Sequence, residues 1–458
     1  MFNQVFLIAF SLVLFVANIY FFVNKKYLYL FVPCMLFLPP FYGVEFSINF
    51  PVLTVARMMF ITLFIYAVIN RKRSLHLKNI NLKKLPKEYF FLLGYFLLRI
   101  FTNLHGSIIT GQAIKTIFLI LYEQLFLLIA FYLISPSKEE IKKIIKIVVW
   151  TASFLFIIGI IESIFEIRLF DALYTVTRDM NNIRYYRLGL LRINSSFTAP
   201  ALFGNMCVFI FPLICYLYDT TKQNRYLFIV GLNALAVIHS GSRSDMFFYI
   251  IIAFVYMMYI LEGNSRRILF IKNAALIVLV LLIYMSIVSI ISPTLQYYYV
   301  GTGKSILNEV GFDYDLDEDA PSDSSGYGKN INGSISRTRQ LTGILYVAKK
   351  NPIFGLGASA ANRGKVQYYW HFPDGKDRWT ISYVYDVGIV EIFCDEGIIG
   401  LLGMCALFAF MIIISYKNKY HMFYILCYLL GMLSTKNMYA FLMFYLIILL
   451  HYRDTESN

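Results

Sequence analysis

Residues 268–291 read ILFIKNAALIVLVLLIYMSIVSII. The only charge in this run is Lys272, near its start. As a helix rising about 1.5 Å per residue, the run is long enough to cross a hydrocarbon core of about 30 Å. The next stretch is different in kind. Residues 292–386 are polar, aromatic and charged, and at 387 another long apolar run begins. The two runs make 292–386 a large loop on one side of a membrane.

The same reading extends to both ends of the chain. Of 458 residues, 59% are hydrophobic and 15% charged, where a soluble domain carries about 25% charged. Apolar runs recur at 3–23, 27–43, 51–69, 88–105, 112–134, 144–166, 199–218, 226–240, 245–262, 268–291, 387–415, 420–434 and 438–452. The expected fold class is an all-α polytopic integral membrane protein, with 12–14 transmembrane helices and one large external loop. The expected organisation is a transmembrane bundle over 1–291, the loop with short helices over 292–386, and C-terminal spans over 387–458. The first run has no basic leader and no small-residue cleavage site, so it reads as a retained span. Cys34, Cys207, Cys215, Cys394, Cys405 and Cys427 lie in or beside apolar runs without metal-ligand spacing, and read as small buried hydrophobes.

The net charge of +14 belongs to loops, where it sets topology and meets anionic lipid; it does not point to nucleic acid. Lys and Arg crowd alternate turns of the chain, at 25–26, 71–87, 138–143, 222–225, 266–267 and 417–419. By the positive-inside rule these turns are cytoplasmic. The loops 167–198, 240–244 and 292–386 are then external. Their arginines oppose the topological bias and so point to an anionic ligand on that face. They include Arg187 and Arg192 in the first loop, Arg243 in the short GSRSD turn, and Arg337 and Arg339 in the large loop.

Within the large loop, residues 313–330 are acidic and rich in Ser and Gly, and read as a solvated, mobile insertion. SISRTRQLTGILYVAKKNP reads as a helix that Ser334 or Ser336 caps and Asn351-Pro352 ends. Arg337, Leu341, Ile344, Leu345 and Ala348 fall on one face at helical spacing, which places Arg337 on the packing side. An arginine there needs a partner or a polar cavity. In NPIFGLG, Gly355 and Gly357 allow tight turns and close backbone approach. Arg57 and Arg99 lie within spans and read as snorkelling or as lipid-phosphate ligands. Asp245 reads as the N-cap of its span. Tyr297–Tyr299, Tyr368–Trp370 and Trp379 read equally as interfacial anchors or as sugar-stacking surfaces.

The ordered set RINSSFTAPALFGN (192–205), SGSRSD (240–245), SRTRQLTGILYVAKKNPIFGLG (336–357) and YDVGIVEIFCDEGIIGLLG (385–403) resembles the O-antigen ligase and polymerase superfamily of bacterial envelope glycosyltransferases. The resemblance covers residues 187–405. It implies a GT-C-like fold and an inverting transfer from polyprenyl-diphosphate-linked oligosaccharide. It also implies a place in the bacterial cytoplasmic membrane with the large loop external, and a chain-length regulator protein as a further partner. By register, Arg192, Arg243 and Arg337 take the family's arginine positions; Arg337 lies fifteen residues before Pro352. Where the ligase branch has a histidine, this chain has Asp386. That departure favours the Wzy-type polymerase branch over ligation of finished glycan.

The chemistry fits these residue types. A diphosphate leaves readily and needs charge stabilisation more than protonation, which arginine forks supply. Arg192, Arg243 and Arg337, with Arg339 beside them, are the expected diphosphate ligands. Asp386 is the first candidate for the base that accepts the acceptor hydroxyl proton, and His371 the second. Glu391 and Asp395 lie in the apolar run after the loop, where an acid is costly and is either functional or paired with an arginine. No metal-ligand cluster is evident in the sequence, so metal-independent, cofactor-free catalysis is expected. A flippase or transporter would instead spread charge through its spans and show internal repeats.

Overall fold

The computed structural model describes residues 2–46, 52–71, 86–110, 113–176, 184–309, 312, 314, 335–371, 376–381, 383 and 385–452. For residues 2, 3, 106–110, 113, 114, 116, 309, 335–338 and 371 only the backbone is described. Of the described residues 75% are helical. Its helices are α1 (Phe2–Val23), α2 (Leu28–Phe37), α3 (Val55–Ile69), α4 (Lys87–Thr110), α5 (Ala113–Ile120), α6 (Phe126–Ile134), α7 (Lys138–Phe165), α8 (Pro200–Thr221), α9 (Arg225–Ser240), α10 (Arg243–Val255), α11 (Asn264–Ile291), α12 (Pro293–Glu309), α13 (Ile335–Lys350), α14 (Gly388–Ser415), α15 (Lys419–Ser434) and α16 (Tyr439–His451). Among the described residues, β structure is confined to three two-stranded antiparallel hairpins.

Each apolar run read from the sequence folds as helix. Among the described residues, seven helices are long and apolar enough to cross a membrane, and four shorter apolar ones accompany them. The surface shows why the solvent is lipid. No residue of α11 is buried, although its mean hydropathy is 2.9. Water would not tolerate so large an apolar face. The chain is a multi-pass membrane protein.

The helices divide between two compact units. One holds residues 1–147, 173–176 and 335–458; the other holds 148–172 and 177–334. Residues 292–309 of the large loop belong to the second unit and 335–386 to the first.

In the second unit α8 is the axis, buried along most of its length. In the first, α3, α4, α14 and α16 bury Leu63, Phe96, Leu407 and Tyr445. Two spans of this unit depart from regular helix. A π turn, Leu121–Leu125, interrupts the α5–α6 span. In α14, Gly397 takes φ 67° and ψ −161°, so the helix is broken there. Broken backbone is tolerated at membrane depth only where protein satisfies the freed groups.

α13 corrects the face that apolar spacing assigns to it. Gln340, Gly343 and Val347 are buried, while Leu341, Leu345 and Ala348 are exposed. The neighbour that decides this is the β5–β6 hairpin (Gln367–His371 and Asp377–Ile381). Its Tyr368 ring lies so close to Gly343 that an added Cβ would come within 2.6 Å of it. The acidic insertion at 313–330 lies outside the described residues, save for Tyr314, whose amide and carbonyl both bond Asn308.

Candidate active site

In the second unit three arginines meet one turn. A short hairpin, β3–β4, pairs Tyr186–Arg187 with Leu190–Leu191. Leu188 and Gly189 both have positive φ, 48° and 75°, the signature of a two-residue type I′ turn. Leu188 and Leu190 pack on Leu295 and Tyr298 of α12. The hairpin therefore fixes Arg187 on one strand and delivers Arg192 just beyond the other.

Both arginines bind the end of α9. The last carbonyls of a helix have no partner within it. Here each of four successive ones is met. Tyr298 Oη donates to Ile238 O, and the Ile193 amide to His239 O at 3.2 Å. Arg192 Nε donates to Ser240 O at 2.8 Å, and Arg187 Nη1 to Gly241 O at 2.6 Å. Burial pushes the Tyr298 phenol up to about 12. Gly241 ends α9 with φ 62°, and a Cβ there would sit 3.0 Å from Arg192 Nε.

The chain then turns directly into α10. Arg243 is its first residue, and its Nη1 donates to Ser305 Oγ at 2.8 Å. Arg187 Nη2 reaches the same oxygen at 3.3 Å. One buried hydroxyl on α12 thus gathers two guanidinium groups, beside the N-terminus of a helix whose dipole also favours an anion. Below the turn, His239 Nε2 pairs with Tyr299 Oη at 2.7 Å and Nδ1 with Ser163 Oγ at 3.1 Å.

An apolar groove of about 610 Å³ lies in the same unit. Ile306, adjacent to Ser305, lines it, as do Met246, Ile277 and Leu281. Asp219, Lys222 and Arg266 line it as well.

In the first unit the NPIFGLG segment explains its own glycines. It docks on the break in α14. The Leu356 amide donates to Cys394 O and the Gly357 amide to Asp395 O, each at 2.8 Å. In return Ile398 N donates to Pro352 O at 2.9 Å. Gly355 and Gly397 pass backbone against backbone: a Cβ on Gly355 would lie 2.6 Å from Gly397 N, at a φ of 68°. The loop supplies the bonds that the broken span lacks. Gly355→Ala combines a backbone overlap with left-handed strain, and each costs about 1–3 kcal/mol. It should lower the melting temperature in detergent sharply, whereas Gly303→Ala, with open space around it, should leave it nearly unchanged.

Residues 228–405 match a family model described as O-antigen ligase. Over that segment the chain is similar to the O-antigen ligase family. No curated protein and no solved structure gives a significant match. The matched segment runs from α9 into α14 and takes in Arg243, NPIFGLG and the broken span. Arg187 and Arg192 precede it.

The sequence candidates fall in several places. Arg192 and Arg243 meet the same turn. Arg187, in the sequence one of several external arginines, shares Ser305 with Arg243; its signal is the Leu-Gly turn that fixes its strand. Arg337 lies in the first turn of α13 and His371 ends β5, and the side chains of both lie outside the described residues. Arg339 forms an ion pair with Asp377 at 3.6 Å. Asp386 is half-buried and held by a reciprocal pair: Gln340 Nε2 donates to Asp386 Oδ2 at 2.6 Å, and the Asp386 amide to Gln340 Oε1 at 2.8 Å. Trp379 packs against Tyr346 and Tyr369 with tilted rings, centroids 5.9 and 5.6 Å away.

Other residues depart from their expected roles. Asp245 is not the N-cap of α10; Ser242 is, and Asp245 is a buried residue of the first turn, packed on Gly204. Arg99 does not snorkel. It is buried, donating through Nε and Nη2 to Glu396 Oε1 at 3.0 and 2.9 Å and through Nη1 to Gln124 at 2.7 Å. The acid of α14 that takes Arg99 is therefore Glu396. Asp395 instead accepts the Ser359 and Ala360 amides and the Tyr385 hydroxyl, and Glu391 the Asn437 amide. Arg57 pairs with Glu123 at 2.6 Å.

Proposed function

We propose that the protein is an inverting glycosyltransferase that polymerises polyprenyl-diphosphate-linked oligosaccharide repeat units into O-antigen, capsule or exopolysaccharide. It acts on the outer face of the bacterial cytoplasmic membrane, with the large loop periplasmic and undecaprenyl as the carrier. The observation that carries this reading is the gathering of Arg187, Arg192 and Arg243 on one turn, with an apolar groove lined from the next residue on α12. A lipid diphosphate has those two halves. Guanidinium forks match phosphate oxygens, and the groove suits a polyprenyl chain.

The acceptor sugar hydroxyl attacks the anomeric carbon of the donor. The new C–O bond forms as the bond to diphosphate breaks, and its electron pair leaves with the diphosphate. Preorganised arginines stabilise that developing charge. By register with the family Arg337 takes a further arginine position, and Arg339 lies beside it in sequence. Asp386 takes the hydroxyl proton, its carboxylate oriented by Gln340. Asp386→Asn keeps the shape of that pair and removes the base. Its kcat should fall about 10²–10⁴-fold, with KM little changed. Unchanged kcat would pass the role to another group, His371 first.

Purified protein supplied with one lipid-linked repeat unit tests the reading. A ladder of longer lipid-linked chains is expected. Transfer only to a different acceptor would make it a ligase. Movement of lipid-linked sugar across vesicles without transfer would make it a transporter.

A further inference from the structure

The first unit contains a cavity of about 230 Å³, apolar over most of its wall with a polar cluster on one part, that the glycosyl-transfer reading leaves unused. Arg57, Glu123, Gln124 and Tyr439 line it, with Pro40 and Phe60 on its apolar side. Four elements meet there: the end of α2, the start of α3, the π turn and the start of α16.

The π turn makes the cavity. It puts two adjacent polar residues to work in one place. Glu123 accepts from Arg57 Nε at 2.6 Å, and Gln124 accepts from Arg99 at 2.7 Å. Two ion pairs of this unit can then be compared. Arg99 and Glu396 are closed off, with side chains 8% and 4% exposed. Arg57 and Glu123 are 18% and 34% exposed, and both line the cavity. A pair serving only to join helices is best shut away from competing partners, as the first is. The second faces open space between apolar helices, where ionisable groups are costly and mark ligand paths.

The lining also specifies the ligand. One cation and one anion cancel, so an anion gains no net attraction. A guanidinium, a carboxylate, an amide and a backbone-anchored helix start offer donors and acceptors side by side. Phe60 and the Tyr439 ring offer flat apolar surface. A molecule with alternating hydroxyls and C–H faces matches that set. The volume lies below the range of about 300–1,000 Å³ typical of drug-sized ligands, which limits the occupant to a single ring.

We infer that this cavity is a subsite for one neutral sugar ring. It rests on the proposed function in that the ring would belong to the glycan being joined, and it adds a recognition site built from residues of the first unit.

Full-length protein in nanodiscs is the material for the test. Methyl pyranosides of glucose, galactose, mannose and N-acetylglucosamine are the probes, read by saturation-transfer NMR. Ala440 lines the cavity, and Ala440→Phe should fill it. At least one glycoside should give a signal that falls fivefold or more in that variant. A second measurement needs no variant: the same glycoside should slow carbodiimide labelling of Glu123 in the wild-type protein. If no glycoside signal depends on Ala440 and none protects Glu123, the inference is overturned. Protection by inorganic phosphate in place of glycosides would also overturn it, in favour of an anion site. Transfer from the lipid-linked repeat unit is measured alongside. Absence of any glycosyl transfer by the same wild-type preparation would sink the proposed function while leaving a positive glycoside result standing.

Discussion

Arg243→Ala should lower kcat/KM for transfer about 10²–10³-fold, the usual cost of removing one preorganised donor to developing negative charge. Arg243 is the sharpest test among the three arginines because of what else each does. Arg192 and Arg187 hold carbonyls at the end of α9, so their loss damages the turn as well as any anion site. Arg243 bonds the Ser305 hydroxyl, a contact worth about 1–3 kcal/mol. Its removal should therefore cost far more activity than stability. Arg243→Lys should recover little: one ammonium cannot hold Ser305 and meet a diphosphate as a fork does. Initial rates on lipid-linked repeat unit, with melting curves on the same preparations, provide the check. Full activity in Arg243→Ala, or a loss no greater than that of folded protein, would remove the turn from the chemistry.

The second large effect concerns the closed ion pair. Glu396 Oε1 accepts Arg99 Nε, Arg99 Nη2 and Asn103 Nδ2, all within 3.0 Å. The Tyr439 ring covers the guanidinium at 4.3 Å. Glu396→Gln leaves a permanent cation buried without its counter-charge and should cost about 3–5 kcal/mol. Arg99→Met strands a carboxylate, which can escape by taking up a proton, so it should cost less. The double variant Arg99→Met/Glu396→Met removes both charges and should recover most of the loss. Denaturant midpoints in one detergent would measure all three. Additive losses in the double variant would mean that the two side chains are not a coupled pair.

The spans are legible in the sequence because length and apolarity alone decide whether a helix can live in lipid. The irregularities within them are not. Arg99 and Glu396 are 297 positions apart, and nothing local to either names the other. The break at Gly397 becomes intelligible only with Gly355 pressed against it. The face of α13 misleads for a related reason. Apolar spacing marks one side for packing, yet a polar pair, Gln340 with Asp386, and an aromatic ring over Gly343 hold the helix by another. Arg192, Arg243, Arg337 and Asp386 are reached through resemblance. What the geometry adds is the turn that joins Arg187 to two of them.

The exposure of α11 carries a consequence for where this protein works best. At about 1.5 Å per residue its apolar run, 268–291, spans about 36 Å, against a hydrocarbon thickness of about 30 Å. Such mismatch is relieved by tilt, and packing against neighbours normally sets how much. With no residue buried, α11 takes much of its tilt from the bilayer itself. It runs straight into α12, which carries Ser305 and Tyr298. Lipid chain length should therefore act on the arginine turn like a tuning screw, and transfer rates should peak at one membrane thickness and fall on either side.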